Sequence, residues 1–535
     1  MPFTYILHCA DGTLYTGSTP DLDKRLHEHN NTKSGARYTK ARRPVRLVHT
    51  EEFVSLGEAR SREAAIKRLT RPEKLQLLRA LRGAQWTKAM LALALLLACC
   101  AVPGFAQPAT RDITPEQAAQ GSFEQDHAGG EAVFTCTLAT SAADWARSGA
   151  ESVVLSLDID GVAHHDIVVT GAARIYRERV GPLPRGPHTW TLRWRVDVSP
   201  MNSGTVQLSQ MKVATTAKGG VIGNAPILLG RLSAKAVRAQ TNAVRDTPLM
   251  ARSDVPLILI ARERRDASGP VFEYHAVFSN EDGGTGRLPA LQMMRYGRTS
   301  DVERVIVVNA SGSEYQSANH GTARFAGRMD GNHAVLRVAT DNNNFSDICG
   351  DEDEGLRFSL APVEWPAEGP SQRVLEREPW VYPLANAEML REEGGVAGLF
   401  GGRKAEQVGN AESVTRSDLG NYMTIESHID AHKDQLWRVG ARCAGRWWWS
   451  DHERASDRQR GGGWSRTGIE MPPGSTPDAV AFERIGDGAS TLSIRELRAW
   501  TYAVDTRLPS APLLALRTPR APTQDAPRSV WELKR

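Results

Sequence analysis

Residues Phe3 to Gly17, FTYILHCADGTLYTG, contain two short runs of strand-forming residues joined by Ala10-Asp11-Gly12. A loop of this composition is typical of a β-hairpin. If all three residues form the loop, Leu7 lies opposite Tyr15. Side chains alternate along a strand, so this register places Tyr5 and Tyr15 on one face, whereas a two-residue loop would separate them.

The hairpin is followed by a predicted helix. Thr19 is suited to the N-cap position, and the segment DLDKRLHEHN, residues 21–30, has helical spacing of its leucines. Arg25 and His29 are four residues apart and lie on a neighbouring stripe of the helix. One helix therefore presents a guanidinium and an imidazole to the same ligand.

A third strand is predicted over Val45 to Phe53, followed by a helix from about Leu56 to Leu69. Glu63 falls on the inward stripe of that helix. A carboxylate on an inward face is costly unless a salt bridge or a bound metal ion compensates it. Thr70 then begins a capping box that opens a last helix to about Arg82.

The order and spacing of these residues resemble the GIY-YIG endonucleases, and more narrowly the small bacterial proteins of the UPF0213 or YhbQ-like group, over about 80 residues. The matching positions are Tyr5 in YIL, Tyr15 and Gly17 in YTG, Arg25 and His29 in DLDKRLHEHN, and Glu63 in REAAIKRLTR. The pattern continues through ARYTKARRPVRLV and LTRPEKLQLL. Thr4-Tyr5-Ile6 stands where the family name has Gly-Ile-Tyr, and Ser18 and Lys24 also depart from the pattern.

The resemblance implies a three-stranded antiparallel sheet with flanking helices, and a metal-dependent endonuclease that hydrolyses DNA phosphodiester bonds. Mg²⁺ (or Mn²⁺) would be held by Glu63. Arg25 would neutralise the phosphate charge, Tyr5 and Tyr15 would orient or deprotonate the attacking water, and His29 would assist proton transfer. A metal and a fixed cation suit a phosphoryl transition state, which gains negative charge. No small-molecule cofactor is expected.

Charge is unevenly distributed along the 535 residues, whose formal net charge is +4. Residues 1–85 carry 16 Lys and Arg against 9 Asp and Glu, and the remainder carries 50 against 53. A locally basic unit favours a polyanionic partner. DNA contact is therefore predicted for Lys40, Arg42 and Arg43 in the loop GARYTKARRPVR, for which a solvated loop is the alternative.

An apolar run, AMLALALLLACCAVPGFA, covers residues 89–106 and has no charge over 18 residues. It follows basic residues and ends in small ones, as a secretory signal does, but it is internal. Cleavage after Ala106 would release the region that follows, whereas an uncut segment would anchor the chain in a membrane with the N-terminal part in the cytoplasm. A third hypothesis is that two neighbouring reading frames have been joined.

After residue 106 the sequence changes to short alternating runs such as VVLSLDID, VPLILIARER and FEYHAVFS, separated by Gly, Asp, Asn and Pro. These runs predict an all-β, sandwich-like region. The chain is thus predicted to be multidomain, with an N-terminal α+β domain. Its predicted parts are a nuclease domain (1–82), a signal-like or anchor segment (83–106), three β-rich domains (107–240, 241–365 and 366–507) and a Pro/Ala-rich tail (508–535).

The β-rich region carries weaker functional signals. Asp341 to Asn344 with Asp347 and the acidic run 351–354 suggests calcium, but the spacing favours a solvated turn. Residues 280–284 also indicate a turn. Trp447-Trp448-Trp449 suggests sugar or protein binding, although consecutive strand side chains face opposite ways and favour packing.

The six cysteines lack zinc-site spacing, and Cys136, Cys349 and Cys443 allow one disulfide if this region is exported. No nucleophile and base pattern is evident in this region. The alternative to a nuclease fused to an exported region is a secreted or anchored β-sandwich protein for binding or structure. In that alternative a start-site or gene-fusion artefact has joined the first 82 residues to it.

Overall fold

The computed structural model divides the chain into two compact units, Met1–Gln107 and Pro108–Arg535. It describes residues 2–10, 13–32, 34–43, 45–53, 56–68, 110–125, 131–146, 150–199, 204–216, 219–230, 255–279, 293–294, 296–298, 300–317, 320–339, 343–349, 355–387, 418–453, 455–486 and 492–533. The signal-like or anchor segment 83–106 and the predicted helix from Thr70 lie outside these residues. Within them, every helix is too short or too polar to cross a membrane.

The N-terminal unit is an antiparallel sheet with helices. Its strands and helices are β1 (Phe3–His8), β2 (Leu14–Thr19), α1 (Leu22–Asn31), α2 (Arg37–Lys40), β3 (Arg46–Glu52) and α3 (Leu56–Arg68). The strand order is β2-β1-β3, so the first strand is central. The Thr4 hydroxyl of β1 donates to the Ala59 carbonyl at 2.6 Å and ties α3 to the sheet. The predicted three-stranded sheet with flanking helices is confirmed.

The hairpin register is the one that the three-residue loop predicts, because Leu7 pairs with Tyr15. The predicted N-cap of α1 is wrong. Asp21 is the cap, and its carboxylate accepts the Lys24 N–H at 3.0 Å. Thr19 is instead the last residue of β2, and its hydroxyl accepts the N–H of Asp21, two residues later, at 3.2 Å.

The second unit begins with two four-stranded sheets, ordered β5-β10-β7-β8 and β4-β11-β6-β9, which share one hydrophobic core. Their strands are β4 (Arg111–Ile113), β5 (Ala119–Gln125), β6 (Ala132–Thr140), β7 (Val153–Ile159), β8 (Val162–Val169), β9 (Arg174–Val180), β10 (Gly186–Trp194) and β11 (Val206–Thr215). Every residue of β7 is buried. Its odd-numbered positions face the shared core, whereas Val154 belongs to the next one.

The next core lies between a six-stranded sheet, β17-β16-β15-β14-β13-β22, and a five-stranded one that contains β18-β19-β12-β21 with β20 beside β19. These elements are α4 (Gly220–Gly223), β12 (Ile227–Leu229), β13 (Pro256–Asp266), β14 (Gly269–Phe278), β15 (Asp301–Val308), β16 (Glu314–Ser317), β17 (Gly321–Arg324), β18 (Met329–Asp330), β19 (His333–Val338), β20 (Phe345–Ser346), β21 (Arg357–Phe358) and β22 (Val363–Glu364). The strand β12 pairs in parallel with β19 and antiparallel with β21.

A short helical segment leads to the third core. It consists of a 3-10 helix (Ser371–Arg373) and α5 (Val374–Arg377). The sheets that follow are ordered β27-β23-β29-β30 and β25-β24-β28-β31, with β26 beside β24. Their elements are a 3-10 helix (Leu419–Asn421), β23 (Tyr422–Ala431), β24 (Leu436–Cys443), β25 (Arg446–Trp449), a 3-10 helix (Ala455–Asp457), β26 (Gln459–Arg460), β27 (Gly463–Glu470), β28 (Pro477–Ile485), β29 (Leu492–Thr501), β30 (Leu514–Arg517) and β31 (Arg528–Glu532).

Buried ion pairs fix the helical segment against the third core. Glu426 on β23 is fully buried and accepts hydrogen bonds from Arg373 at 2.7 Å and from Arg466 at 2.6 Å. The two arginines are themselves 8% and 2% exposed. Because a buried charge is costly without a partner, each member of this cluster depends on the others.

The prediction of a β-rich region after residue 106 is confirmed, and the quoted runs coincide with strands β7, β13 and β14. The segment 508–535, predicted as a Pro/Ala-rich tail, contributes β30 and β31, which pair with β29 and β28. The other predicted boundaries stay predictions, and that near residue 240 lies outside the described residues.

The weaker functional signals of this region mostly have structural explanations. Trp447 and Trp449 stack at 5.5 Å on one face of β25, and Trp448 packs against the third core on the other. Asn343 and Asn344 are buried within the fold, whereas residues 341–342, 351–354 and 280–284 lie outside the described part. The cysteines 136, 349 and 443 are free thiols, so the conditional disulfide is absent among them.

Candidate active site

The hairpin register brings the rings of Tyr5, Tyr15 and His29 together in an aromatic centre of the N-terminal unit. Tyr5 on the central strand is 1% exposed, and its ring centroid lies 6.4 Å from that of Tyr15 on β2. Tyr15 in turn lies 5.1 Å from the ring of His29. The sequence prediction that both tyrosines share one face is therefore confirmed.

Gly17 makes room for this arrangement. It pairs with Tyr5 across the hairpin, and a Cβ atom at this position would lie 2.6 Å from the Tyr5 hydroxyl oxygen and 2.7 Å from its Cζ. Both distances are below ordinary van der Waals contact. A side chain at residue 17 and the observed position of the Tyr5 ring are thus mutually exclusive.

His29 is fully buried at the end of α1 and bonded at both ring nitrogens. Its Nε2 lies 2.8 Å from the Tyr5 hydroxyl, and its Nδ1 lies 2.7 Å from the Thr39 hydroxyl. Thr39 donates its own proton to the Ala36 carbonyl at 3.0 Å. The Thr39 oxygen therefore accepts from Nδ1–H, which leaves Nε2 unprotonated to accept the Tyr5 proton.

The surroundings keep these groups neutral. Burial, reinforced by the charges of Arg25 and Arg43, lowers the pKa of His29 to about 4. Burial raises the pKa of Tyr5 to about 12, although a hydrogen bond from Arg25 opposes the shift. At neutral pH the pair is a phenol donating to an uncharged imidazole.

Arg25 lies beside this pair, because it donates to the Tyr5 hydroxyl, to which His29 is also hydrogen-bonded. The structure thus brings Arg25 and His29 to one group, and their presentation to a shared ligand stays a prediction. The Arg25 guanidinium is partly exposed and donates to Glu28 at 2.6 Å and to the Ser34 carbonyl at 3.3 Å.

Glu63 on α3 has a side chain that is 19% exposed, and its two oxygens accept from Ser18 at 2.5 Å and from Lys67 at 2.6 Å. Burial acts to raise the pKa of Glu63, but the hydrogen bonds from Lys67 and Ser18 outweigh it and hold the pKa below its ordinary value. The carboxylate is ionised, and its charge acts on the Tyr5 hydroxyl. A salt bridge thus compensates Glu63 in this structure.

The carboxylate oxygens of Glu63 are ligands that suit a hard divalent cation. Mg²⁺ commonly uses one or two carboxylates and keeps several waters. Lys67 is 55% exposed and can leave the carboxylate without unfolding the helix. Among the described residues there is no group of three or more His, Cys, Asp or Glu side chains that would bind a metal by itself.

The three predicted DNA-contacting residues have different surroundings. Lys40 is exposed at the end of α2. The Arg42 guanidinium lies 4.1 Å from the Tyr38 ring centroid and donates to the Tyr38 carbonyl at 3.0 Å. Arg43 donates to the carbonyl of His29 at 2.6 Å and to other carbonyls at the end of α1. The Arg43 side chain therefore stabilises a helix end.

Sequence reasoning missed three residues of this centre. Thr39 fixes the tautomer of His29, Ser18 binds Glu63, and the exposed Tyr38 stacks on Tyr15 at 6.0 Å. The segment RYTK of α2 has no catalytic pattern of its own. Its contacts arise from the way in which the loop after α1 folds back over the sheet.

Known proteins resemble this first unit. A family model described as the GIY-YIG catalytic domain matches residues 1–76. A UPF0213 protein of Syntrophus aciditrophicus is 57% identical over 77 residues, which are 14% of this chain and 88% of that protein. A UPF0213 protein of Clostridium perfringens is 54% identical over 78 residues, 15% of this chain and 83% of that protein. The solution structure of a UPF0213 protein from Bacillus halodurans shares 44% identity, covers 15% of this chain and 85% of that one, and gives a TM-score of 0.11.

Proposed function

The chain belongs to the GIY-YIG family, in its UPF0213 group, through its first 77 residues, and from this membership we propose that it is a metal-dependent endonuclease that hydrolyses DNA phosphodiester bonds. The observation that carries the proposal is the buried hydrogen bond between Tyr5 and His29 beside Tyr15. A phenol that donates to a neutral imidazole can accept a proton from a water molecule on its oxygen while it passes its own proton to the imidazole.

The proposed roles follow from this pair. The attacking water loses its proton to the Tyr5 oxygen as Tyr5 passes its own proton to Nε2 of His29. Tyr15 orients the water, and Arg25 is the cation that neutralises charge on the phosphate. When bound at Glu63, Mg²⁺ (or Mn²⁺) supplies Lewis-acid stabilisation of the negative charge that develops.

DNA is the proposed polyanion because this unit is basic, with 16 Lys and Arg against 9 Asp and Glu in residues 1–85. The exposed Lys40 and the Arg42 guanidinium beside Tyr38 are the proposed phosphate contacts. Arg43 is proposed to act indirectly, since its guanidinium already binds the end of α1. A direct Arg43 contact with DNA, as the sequence predicted, requires it to leave those carbonyls.

The test is cleavage of supercoiled plasmid by the purified full chain, with Mg²⁺ and with EDTA. Glu63→Ala is expected to lower the cleavage rate by on the order of 10²-fold or more and to leave DNA binding, measured with EDTA present, largely unchanged. Lys67→Ala is the matched control, since it removes the partner of Glu63 and leaves the carboxylate. Undiminished cutting by Glu63→Ala rejects the assignment of the metal to this residue.

The β-rich unit is proposed to be exported or anchored through residues 89–106, on the strength of that uncharged apolar run and the basic residues before it. Mass spectrometry of fractionated native cells tests this. A membrane-bound species with peptides from both units indicates a tethered nuclease. Exported peptides that begin at Gln107, without any from the first unit, indicate that the mature protein is the β-rich region alone.

A further inference from the structure

Three polar side chains of the second unit form a hydrogen-bonded chain that the proposed nuclease does not use. The Ser371 hydroxyl oxygen lies 3.1 Å from Nδ1 of His275, and Nε2 of His275 lies 3.3 Å from Oε1 of Glu273. His275 and Glu273 are two residues apart on β14, so they project from the same face of the sheet. Ser371 comes from the 3-10 helix that packs on that face.

The protonation states of Ser371, His275 and Glu273 are those of a nucleophile, a base and an orienting carboxylate. Burial acts to raise the pKa of Glu273, but hydrogen bonds from His275 and Arg262 outweigh it and lower the pKa to about 2. The ionised Glu273 therefore accepts the proton on Nε2 of His275. Burial lowers the pKa of His275, so its Nδ1 is unprotonated at neutral pH and faces the Ser371 hydroxyl.

Neighbouring side chains hold this geometry. The Trp365 ring packs edge-on against His275 with a centroid distance of 4.5 Å. Arg262 donates to one oxygen of Glu273 at 2.8 and 2.6 Å, and its guanidinium lies 4.2 Å from the centroid of Trp365. A base that is fixed on two sides has little freedom to leave the serine, which is what a catalytic pair requires.

A cavity of about 900 Å³ lies on the far side of the residues that hold the base. Trp365, which packs on His275, and Arg262, which binds Glu273, line it together with Gly369, Val374 and Arg377. Its volume suits a small organic ligand. The tryptophan offers an aromatic surface, and the lining also carries three arginines and three glutamates, which supply hydrogen-bond donors and acceptors for a polar ligand.

We propose that Ser371, His275 and Glu273 are the catalytic triad of a serine esterase that acts on carboxylic esters of polar alcohols. The Ser371 oxygen bonds to the ester carbonyl carbon while its proton passes to Nδ1 of His275. The bond to the alcohol oxygen breaks, and that oxygen takes the proton from His275. Water then attacks the acyl group, gives a proton to His275, and releases the acid as Ser371 regains its proton.

The test uses the full chain and a fluorophosphonate probe that bonds covalently to activated serines. Mass spectrometry is expected to find the adduct on Ser371, and Ser371→Ala is expected to lack it. His275→Gln is expected to slow labelling by on the order of 10³-fold. Ser156→Ala is the matched control, because Ser156 is also buried but its hydroxyl donates to Asp158, at 2.6 Å, and not to a histidine.

Two results overturn the proposal: absence of an adduct on Ser371 under conditions that label a known serine esterase, or equal labelling of the wild type and His275→Gln. The first of these is read on the unsubstituted chain, so it does not depend on a variant that folds. Glu63→Ala is expected to be labelled like the wild type. This separates failure of the esterase from failure of the proposed nuclease.

Discussion

Replacing Gly17 with alanine tests whether the hairpin positions Tyr5 for its bond to His29. The new Cβ lies 2.6 Å from the Tyr5 hydroxyl oxygen, and ordinary contact begins at 3.4 Å, so the ring must move by about 0.8 Å. Tyr5 is 1% exposed, so any displacement moves its ring against the surrounding core. Overpacking and a lost buried hydrogen bond together cost about 2–5 kcal/mol.

The assay is hydrogen exchange of the β1 and β2 amides in the full chain, read by mass spectrometry, because it reports the opening free energy of this unit alone. Plasmid cleavage is expected to fall by on the order of 10²-fold in the same variant, since the proton path is misplaced. The matched comparison is Gly17→Ala in a Tyr5→Leu background, which removes the two Tyr5 atoms nearest the Cβ and, of its three nearest atoms, leaves only Tyr15 Cε1, at 3.2 Å. An equal cost in the two backgrounds refutes the steric argument.

Three further predictions follow from the described contacts. Thr39→Val removes the acceptor of Nδ1–H and is expected to shift His29 toward the other tautomer, which its ¹⁵N chemical shifts report. Plasmid cleavage is expected to slow by on the order of 10²-fold. Thr39→Ser keeps the hydroxyl and is expected to preserve both the tautomer and the cleavage rate. Because the pKa of His29 is about 4 in the folded unit and 6.5 ordinarily, the unfolded chain takes up the proton first as the pH falls. Stability of this unit is thus complete above about pH 6.5 and declines toward pH 4, and His29→Asn is expected to flatten that decline in hydrogen exchange. Glu426→Gln removes the buried carboxylate that Arg373 and Arg466 share, leaving them Glu496 and Glu376 as partners. The resulting excess of buried positive charge is expected to cost about 3–5 kcal/mol in the unfolding of the β-rich unit. Glu368→Gln, at an exposed ion pair, is expected to change it by less than about 1 kcal/mol.

Local patterns predicted what depends on neighbours in sequence. The position of Leu7 opposite Tyr15 follows from the length of one loop, and the alternating runs after residue 106 locate strands such as β7 and β14. A strand shows as an alternation of apolar and polar side chains in consecutive residues, so it can be predicted without knowledge of the fold. The same holds for Glu63, whose inward position on α3 required a charged or polar partner.

Contacts between distant segments were not predictable in this way. Ser371 and His275 are 96 residues apart, and nothing in either segment marks them as partners. Their meeting depends on the packing of the segment after β22 onto β14. Thr39 is similar at a smaller scale, because its bond to His29 depends on the path of the loop between α1 and α2.

The strand β12 cannot complete its sheet until the chain downstream of it has been synthesised. Ile227 pairs with Val335, and Leu228 pairs with Phe358, so both neighbours of this strand are encoded more than 100 residues downstream. At about 5–20 residues per second, a ribosome needs roughly 5–20 s to deliver the first of them. During that interval the Ile-Leu-Leu strand has two unpaired edges, which are templates for pairing with another chain. We therefore expect the yield of folded protein to depend on translation speed between residues 230 and 358, and to rise when a holdase chaperone covers this strand in the nascent chain.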